Sequence, residues 1–491
     1  MGDPLEISAD EIAGWSATKP AEHVLPKLVR RLVAASVQRG LVQFRADAGV
    51  RLPGFDGIVN ASEPGFFCPQ GLSLWELSVR QDVRSKASKD FEDRVQTPVA
   101  GVVYRDATYV AVTGRRFPSR DKWQAQKRAR SVFAQVIAYD ADDLAHALEQ
   151  APAVAVWFAD QLGRPLIDLM DVESFLGRWS RETRPALPIT LLTSGRLEPT
   201  QAVTAWLEND DASPLRVQAD TREEAAAFIA AVLAADDRVA RLSRAVVVES
   251  PEAWRTITRR VDREPLLLVP VFEPLPAADV GENIRVAIPV GGGARVAGGI
   301  SLPPLKPDAV SDALVSAGFP RRRAEDVARS SRGKLAAVKR LCDLPRTPSW
   351  ASGDPILLAM LLLGAWQPAR EADCRAIENL GISAADADAR SASLSRAEDP
   401  PIERRGAAWR WTSPKDAWRA LASHLGELLL KRFQTLAIHV LGQPLEAGTF
   451  GATVPHSSAL RAGIAESLVR LGLSDDELKS TFGTTSHRAR A

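Results

Sequence analysis

The chain has 491 residues, enough for roughly three or four domains and several hydrophobic cores. Its 62 Lys and Arg balance 61 Asp and Glu, so no global field marks a polyanion binder, and any nucleic-acid surface has to be local. The three cysteines, Cys68, Cys342 and Cys374, are widely spaced and form no zinc pattern. The acidic start Met1–Glu11 is no signal peptide, and the apolar run Pro355–Trp366 is too short to span a bilayer. A soluble protein of a reducing cytoplasm is expected, and the wealth of alanine and arginine points to a GC-rich bacterial genome.

From residue 20 to 39, apolar residues recur at helical spacing (Val24, Leu25, Leu28, Val29, Leu32, Val33). Two extended segments follow. In the first, Gly54 and Gly57 bracket Asp56; in the second, Pro69-Gln70-Gly71 turns the chain into Leu72–Arg80, where period two places Glu76, Ser78 and Arg80 on one face. A helix over Ser85–Arg94 carries Lys86, Lys89 and Asp90. Strands are expected at Gly101–Tyr104, Thr108–Thr113 and Ala134–Tyr139. Helices are expected at Lys122–Arg130 and after Asp140, with Asp142 and Asp143 suiting a helix N-terminus. Helix, strands, helix, strand is an α/β order.

The chemistry lies in the order of the charged groups. An acid ending one strand, an acid inside the next and lysines just beyond them are what a Mg²⁺- or Mn²⁺-dependent nuclease needs. Two carboxylates hold a hard cation, and an ammonium stabilises charge on the attacked phosphate. Asp56 and Glu76 are the expected metal ligands, Lys86 the catalytic cation and Ser78 a group to orient water. Each acid alone reads more simply as a capped turn or an edge-strand residue; the ordered set favours the site. Residues 115–130 add Arg115, Arg116, Arg120, Lys122, Lys127, Arg128 and Arg130 against Asp121 alone, with Phe117 and Trp123 between them. The first six are the expected DNA-backbone contacts, because phosphate neutralisation dominates non-specific affinity. A solvated helix face beside a buried tryptophan is the plainer alternative.

Gly54-Phe55-Asp56-Gly57, Pro69-x-Gly71-x-Ser73-x-Trp75-Glu76 and Lys86-Ala87-x-x-Asp90-Phe91-x-x-Arg94 together resemble the N-terminal restriction-endonuclease-like domain of certain large bacterial defence proteins. That domain is similar to the PD-(D/E)XK superfamily and its type IV, Mrr-like, branch. The superfamily carries Glu-x-Lys on the second strand, whereas this chain reads Glu76-Leu77-Ser78; the resemblance moves the lysine to Lys86. It covers about residues 14–165 and implies cleavage of double-stranded DNA by metal-activated water.

Beyond a loop-like stretch near 165–190, the order Ser194-Gly195-Arg196, helix Thr200–Leu207, strand Leu215–Ala219 and loop Asp220-Thr221-Arg222-Glu223-Glu224 resembles a STAND/AAA-type NTPase. A phosphate loop needs glycines and Lys-Ser/Thr; here acids stand in their place and repel a triphosphate, so the nucleotide site is read as degenerate and ATP is not expected to bind. The other glycine-rich stretch, Gly291-Gly292-Gly293, lacks a following Lys-Ser/Thr and reads as a turn. Residues 306–340 are expected to be helical, similar to the lid of such modules. Residues 354–430 are similar to a winged helix, its β-ribbon over Asp399–Trp411 turning at Arg404–Gly406. Further helix over 415–475 precedes a disordered tail, Gly483–Ala491. The expected architecture is α/β: an endonuclease-like core at 1–165, a degenerate P-loop-type domain with helical lid at 185–345, a winged helix at 350–425 and a helical segment at 426–491. Scattered histidines offer no zinc grouping, no Gly-x-Ser-x-Gly elbow exists, and Cys68 beside Phe66 and Phe67 reads as a buried inert thiol. The leading reading is a DNA endonuclease of a bacterial defence system, acting as a homo-oligomer or in a defence complex. Its rival is a DNA-binding or scaffold protein in which both catalytic modules have decayed.

Overall fold

The computed structural model describes residues 5–37, 40–44, 54–96, 102–164, 166–209, 213–235, 239–259, 266–272, 280–281, 283–292, 297–342, 347–442 and 456–471. It is mixed α/β, and its residues fall into two compact units that interleave along the chain, where the sequence suggests four successive domains. The first comprises Met1–Trp179, Thr200–Arg216 and Ala226–Pro289; the second comprises Ser180–Pro199, Val217–Ala225 and Val290–Ala491.

The first unit opens with α1 (Ala9–Trp15), whose N-terminus is closed by a reciprocal Ser8–Glu11 capping box, and α2 (Ala21–Ser36). The helical spacing read from the sequence is the buried stripe of α2: Leu25, Leu28, Val29, Leu32 and Val33. Strands β1 (Gly40–Phe44), β2 (Gly57–Ala61) and β3 (Gly71–Ser78) pair antiparallel. After α3 (Val83–Gln96), strand β4 (Thr108–Thr113) joins β3 in parallel; after α4 (Arg120–Arg128), β5 (Gln135–Tyr139) joins β4 in parallel. The sheet order is β1-β2-β3-β4-β5. Where a strand was expected at Gly101–Tyr104, residues Tyr104–Asp106 form a single 3-10 turn, and Gly101 lies outside the described residues.

Both faces of this sheet are covered, so β4 is buried along its whole length. Trp75, Val59, Val110 and Val112 pack with α1, α2, α5 (Ala141–Glu149) and α6 (Pro152–Gln161). Leu74, Tyr109, Ala111 and Phe55 pack with Phe91 of α3 and Trp123 of α4 on the other face. Alternation along β3 therefore puts Trp75 and Leu77 on the α2 side, and Leu74, Glu76 and Ser78 beneath α3. That placement makes the site.

The chain continues through β6 (Leu169–Asp171), α7 (Val172–Ser180), α8 (Leu197–Glu208), β7 (Leu215–Gln218), α9 (Arg222–Ala235), α10 (Val239–Leu242), β8 (Ala245–Val248), α11 (Pro251–Thr258), β9 (Leu266–Pro270) and β10 (Ile284–Val290). Within the first unit β10, β9 and β8 are parallel, with β6 antiparallel at the edge of β8. Both β8 and β9 are buried throughout, as strands covered on two faces must be.

In the second unit β11 (Ile300–Ser301) pairs with β7, and α12 (Pro307–Ser316), α13 (Arg321–Ser331) and α14 (Leu335–Leu341) occupy the stretch expected to be helical. Then come α15 (Pro355–Leu363), β12 (Ala365–Trp366), α16 (Glu371–Asn379), α17 (Ala384–Leu394), β13 (Ile402–Arg405), β14 (Ala408–Trp411), α18 (Pro414–Leu421), α19 (Glu427–Gly442) and α20 (Ser458–Arg470). The ribbon lies where it was expected, turning through Gly406 in the left-handed region (φ 64°), and β12 adds a third strand beside β14. Leu357–Leu363, Trp366, Trp411 and Phe433 form the core here. Gly293 and the tail Gly483–Ala491 lie outside the described residues. Among the described residues no helix is long and apolar enough to cross a membrane.

Candidate active site

Asp56 immediately precedes β2, and the β2–β3 register pairs Gly57 with Trp75, which brings Asp56 level with Glu76. The backbone locks this arrangement from both sides. Asp56 N–H donates to Trp75 O at 3.0 Å, and Leu77 N–H donates to Asp56 Oδ2 at 2.8 Å. Glu76 is 6% exposed. A carboxylate there is costly unless a cation meets it, and one does: Arg94 Nε of α3 donates to Glu76 Oε1, while Arg94 Nη2 donates to Gly54 O at 2.6 Å. The guanidinium carbon also stands 5.2 Å from the centre of the Phe55 ring.

Lys86, Asp90 and Arg94 follow one another at four-residue steps and line one face of α3. Lys86 is ion-paired with Asp90, which is itself buried. The lysine assigned to the strand acids thus spends its charge first on its own helix, although Asp56 feels its field. Lys89 is exposed. Ser78 lies at the end of β3, its Oγ accepting from Arg80 N–H at 3.1 Å. Ser78, Glu76, Asp90, Thr113 and Tyr109 share a cavity of about 20 Å³, the size of a single water. The Tyr109 hydroxyl is fully buried with no hydrogen-bond partner among the described residues.

Burial raises Asp56 above the usual carboxylate range against the opposing Leu77 amide. Burial likewise pushes Glu76 up to about 7, although the Arg94 hydrogen bond opposes it; the neighbouring Asp56 charge adds to the rise. A cation brought between the two acids would favour the ionised form of both. Among the described residues no group of three or more His, Cys, Asp or Glu side chains is placed to hold a metal. Mg²⁺ does not require one, since it binds through one or two carboxylates and keeps its waters for substrate phosphate. Asp56 and Glu76 each give one oxygen to a protein donor, and the donor set fits a hard cation.

A pH dependence follows. Any rate that needs Glu76 ionised should rise about tenfold per pH unit below pH 7 and level off above it. Stability runs the other way. The folded value lies above the ordinary 4.5, so the stabilisation is complete below pH 4.5 and is lost as pH rises through about 7. Glu76→Gln, uncharged throughout, should lack that slope in thermal unfolding followed from pH 4.5 to 7; identical slopes in the two proteins would contradict the assignment.

Most of the basic segment makes bonds within the chain. Arg115 donates to the carbonyls of Val79 and Ser16, Arg116 pairs with Asp10 and Asp142, Arg120 with Asp140 and Asp143, and Lys127 with Glu92. Arg128 Nε donates to Val136 O at 2.9 Å. Phe117 and Trp123 are core residues, Trp123 donating to Ser88 Oγ, and neither is free to stack on a base. Of the six expected contacts Arg116, Lys122 and Arg128 stay exposed, Arg116 and Arg128 in spite of the bonds just named. Exposed cations nearer the acids are Arg80, Arg84 and Lys89. Asp90 and Arg94 belong to the motif quoted from the sequence but are given no role at the site there, and Tyr109 is not singled out. Cys68 is buried and its thiol pushed up to about 12 by that burial, which makes it unreactive.

The acids in place of a phosphate loop are also engaged, within the second unit. Asp220 pairs with Lys334 at 2.7 Å, Glu223 with Lys339, and Glu224 with Arg196 in a pair that is 1% and 3% exposed. The first amide of α9, Arg222 N–H, donates to Glu398 Oε1 at 2.6 Å, and Asp399 N–H donates to Asp220 O at 2.9 Å. Gly291 admits this approach: a Cβ there would lie 2.7 Å from Arg222 N and from the Glu398 carboxylate.

Compared with protein-family models, curated proteins and solved structures, the chain matches none.

Proposed function

We propose that the chain is a Mg²⁺- or Mn²⁺-dependent DNA endonuclease of a bacterial defence system, with a PD-(D/E)XK-like core in the first unit and a degenerate NTPase-like module and winged helix accompanying it. The observation that carries this reading is the pair Asp56 and Glu76, level on adjacent strands and facing α3, both raised by burial, Asp56 also by the Asp90 charge and Glu76 by the charges of Asp56 and Asp90. The two carboxylates would hold the cation, which when bound supplies an activated water and neutralises charge on the scissile phosphate. Leu77 N–H fixes the Asp56 carboxylate, Ser78 faces the cavity where a water fits, and Arg94 holds Glu76 in place. Binding of cation requires Glu76 to lose its proton and Arg94 to yield or share the carboxylate. Arg80, Arg84 and Lys89 then replace residues 115–130 as the favoured contacts to the DNA backbone.

Lys86→Ala tests the assignment of the catalytic cation. A cleavage rate at least about tenfold lower is expected, with DNA affinity nearly unchanged, since one lost phosphate contact is a small term. An unaltered rate removes Lys86 from the mechanism and leaves Arg94. The overall reading is tested by incubating purified protein with supercoiled plasmid and Mg²⁺, alongside Asp56→Ala.

A second reading, a decayed nuclease that binds DNA or scaffolds a complex, is favoured by the Arg94 guanidinium seated on Glu76. DNA retention in a mobility shift without cleavage in either metal is its expected signature. In both readings ATP finds no cradle at residues 219–224, because acids and their own lysines fill it. Micromolar ATP affinity by calorimetry, lost on replacing Asp220 and Glu223, would refute this.

A further inference from the structure

The second unit contains a cavity of about 230 Å³ that nuclease chemistry does not use. Two arginines, Arg332 and Arg410, and two indoles, Trp411 and Trp418, contribute to its wall. Arg410 is on β14, the middle strand of the three, opposite Ala365 on one side and Glu403 on the other. Its Nε is buried with no hydrogen-bond partner among the described residues. A buried donor on a permanently charged group is expensive to leave unmet, so such an atom asks for an acceptor. The acid on the same wall, Glu466, is turned to Arg470 at 2.7 Å and does not supply it.

Arg332 gives a second, independent indication. It ends α13 in the left-handed conformation (φ 52°), a position where glycine is the usual residue. Arg332 stands there instead, and its Nη1 donates to the Trp411 main-chain O at 2.9 Å, which fixes the guanidinium at the end of β14. The far wall is α20, drawn in by a glycine: a Cβ on Gly463 would fall 2.1 Å from Leu363 O. Ala462 and Ala459 next to it leave the space open.

We propose that this cavity is a binding site for a small aromatic anion, its ring against Trp411 and Trp418 and its carboxylate or phosphate between Arg332 and Arg410. Flat apolar walls suit a ring, and guanidinium groups suit a planar or tetrahedral oxyanion. The volume lies below the roughly 300–1,000 Å³ of pockets for drug-sized ligands, which selects a one- or two-ring molecule over a peptide or a nucleoside triphosphate. The inference stands apart from the nuclease reading.

The test uses the full chain and isothermal titration with benzoate, phenyl phosphate, benzamide and inorganic phosphate as probes. Saturable binding of at least one aromatic anion below about 1 mM is expected, with benzamide and inorganic phosphate at least about tenfold weaker. The stronger of benzoate and phenyl phosphate identifies the headgroup. Arg410→Gln should weaken that anion at least about tenfold. Ala462→Leu, at an exposed helix position that fills the space without touching a charge, should weaken it comparably and keeps the test alive if Arg410→Gln fails to fold. No saturation by either anion, equal affinity for benzamide, or unchanged affinity in Ala462→Leu overturns the proposal.

Discussion

Glu76→Gln should lower cleavage of supercoiled plasmid in Mg²⁺ by about 10³-fold or more while leaving the chain folded. The magnitude follows from the several kcal/mol that a correctly held cation contributes to a phosphoryl transition state, with about 1.4 kcal/mol for each factor of ten. The amide keeps an oxygen for Arg94 Nε to donate to, so the local packing survives, yet it supplies no charge for a hard cation. Burial raises Glu76 to about 7, so near neutral pH the neutral form is already well populated and the amide replaces it at small cost. Asp56→Ala is expected to act as strongly but less cleanly, because it also strips the acceptor from Leu77 N–H. Wild-type rates in Glu76→Gln, measured at pH 8 where the native acid is ionised, would dismiss the metal site outright.

The largest effect on stability is expected from Arg196→Ala. Arg196 and Glu224 are 1% and 3% exposed, and the guanidinium also donates to Pro303 O at 3.1 Å and Leu192 O at 3.2 Å. Burial drives Glu224 up and the Arg196 charge holds it down. Removing the cation therefore strands an acid, the situation in which broken buried pairs cost about 3–5 kcal/mol. At about 2–4 °C per kcal/mol for a unit of this size, calorimetry should find a transition lowered by roughly 10 °C. Glu224→Gln, which removes the stranded charge but leaves an amide to accept from Arg196, should lose far less. Equal losses in the two variants would point to simple packing instead of an uncompensated charge.

What the sequence disclosed about this site was set by local pattern. The stripe Leu25–Val33 repeats at helical period and is buried; the acids Asp56 and Glu76 belong to adjacent strands with a turn between, and the register aligns them. Partners distant in the chain left no such trace. Arg120 reads as a free cation until β5 and α5 return Asp140 and Asp143 to it, and Lys127 until α3 brings Glu92. The pairing of Arg94 with Glu76 left no trace because a helix face is legible from spacing, whereas the strand it lies against is not. Helix α6 was missed for another reason: it is buried on nearly all sides, so Pro152–Phe158 shows no polar face and hence no period.

Glu398 on the first amide of α9 has a kinetic and thermodynamic meaning. A carboxylate tethered to the same chain competes at an effective concentration of the order of millimolar or above, and dilution never removes it. A dissolved phosphate or sulfate must outbid that tether before it can reach Arg222 N–H, and the Glu398 side chain must leave before any anion can enter. The N-terminus of α9 is thus occupied while residues 396–399 stay against it, and a dissolved anion reaches Arg222 N–H only in competition with Glu398.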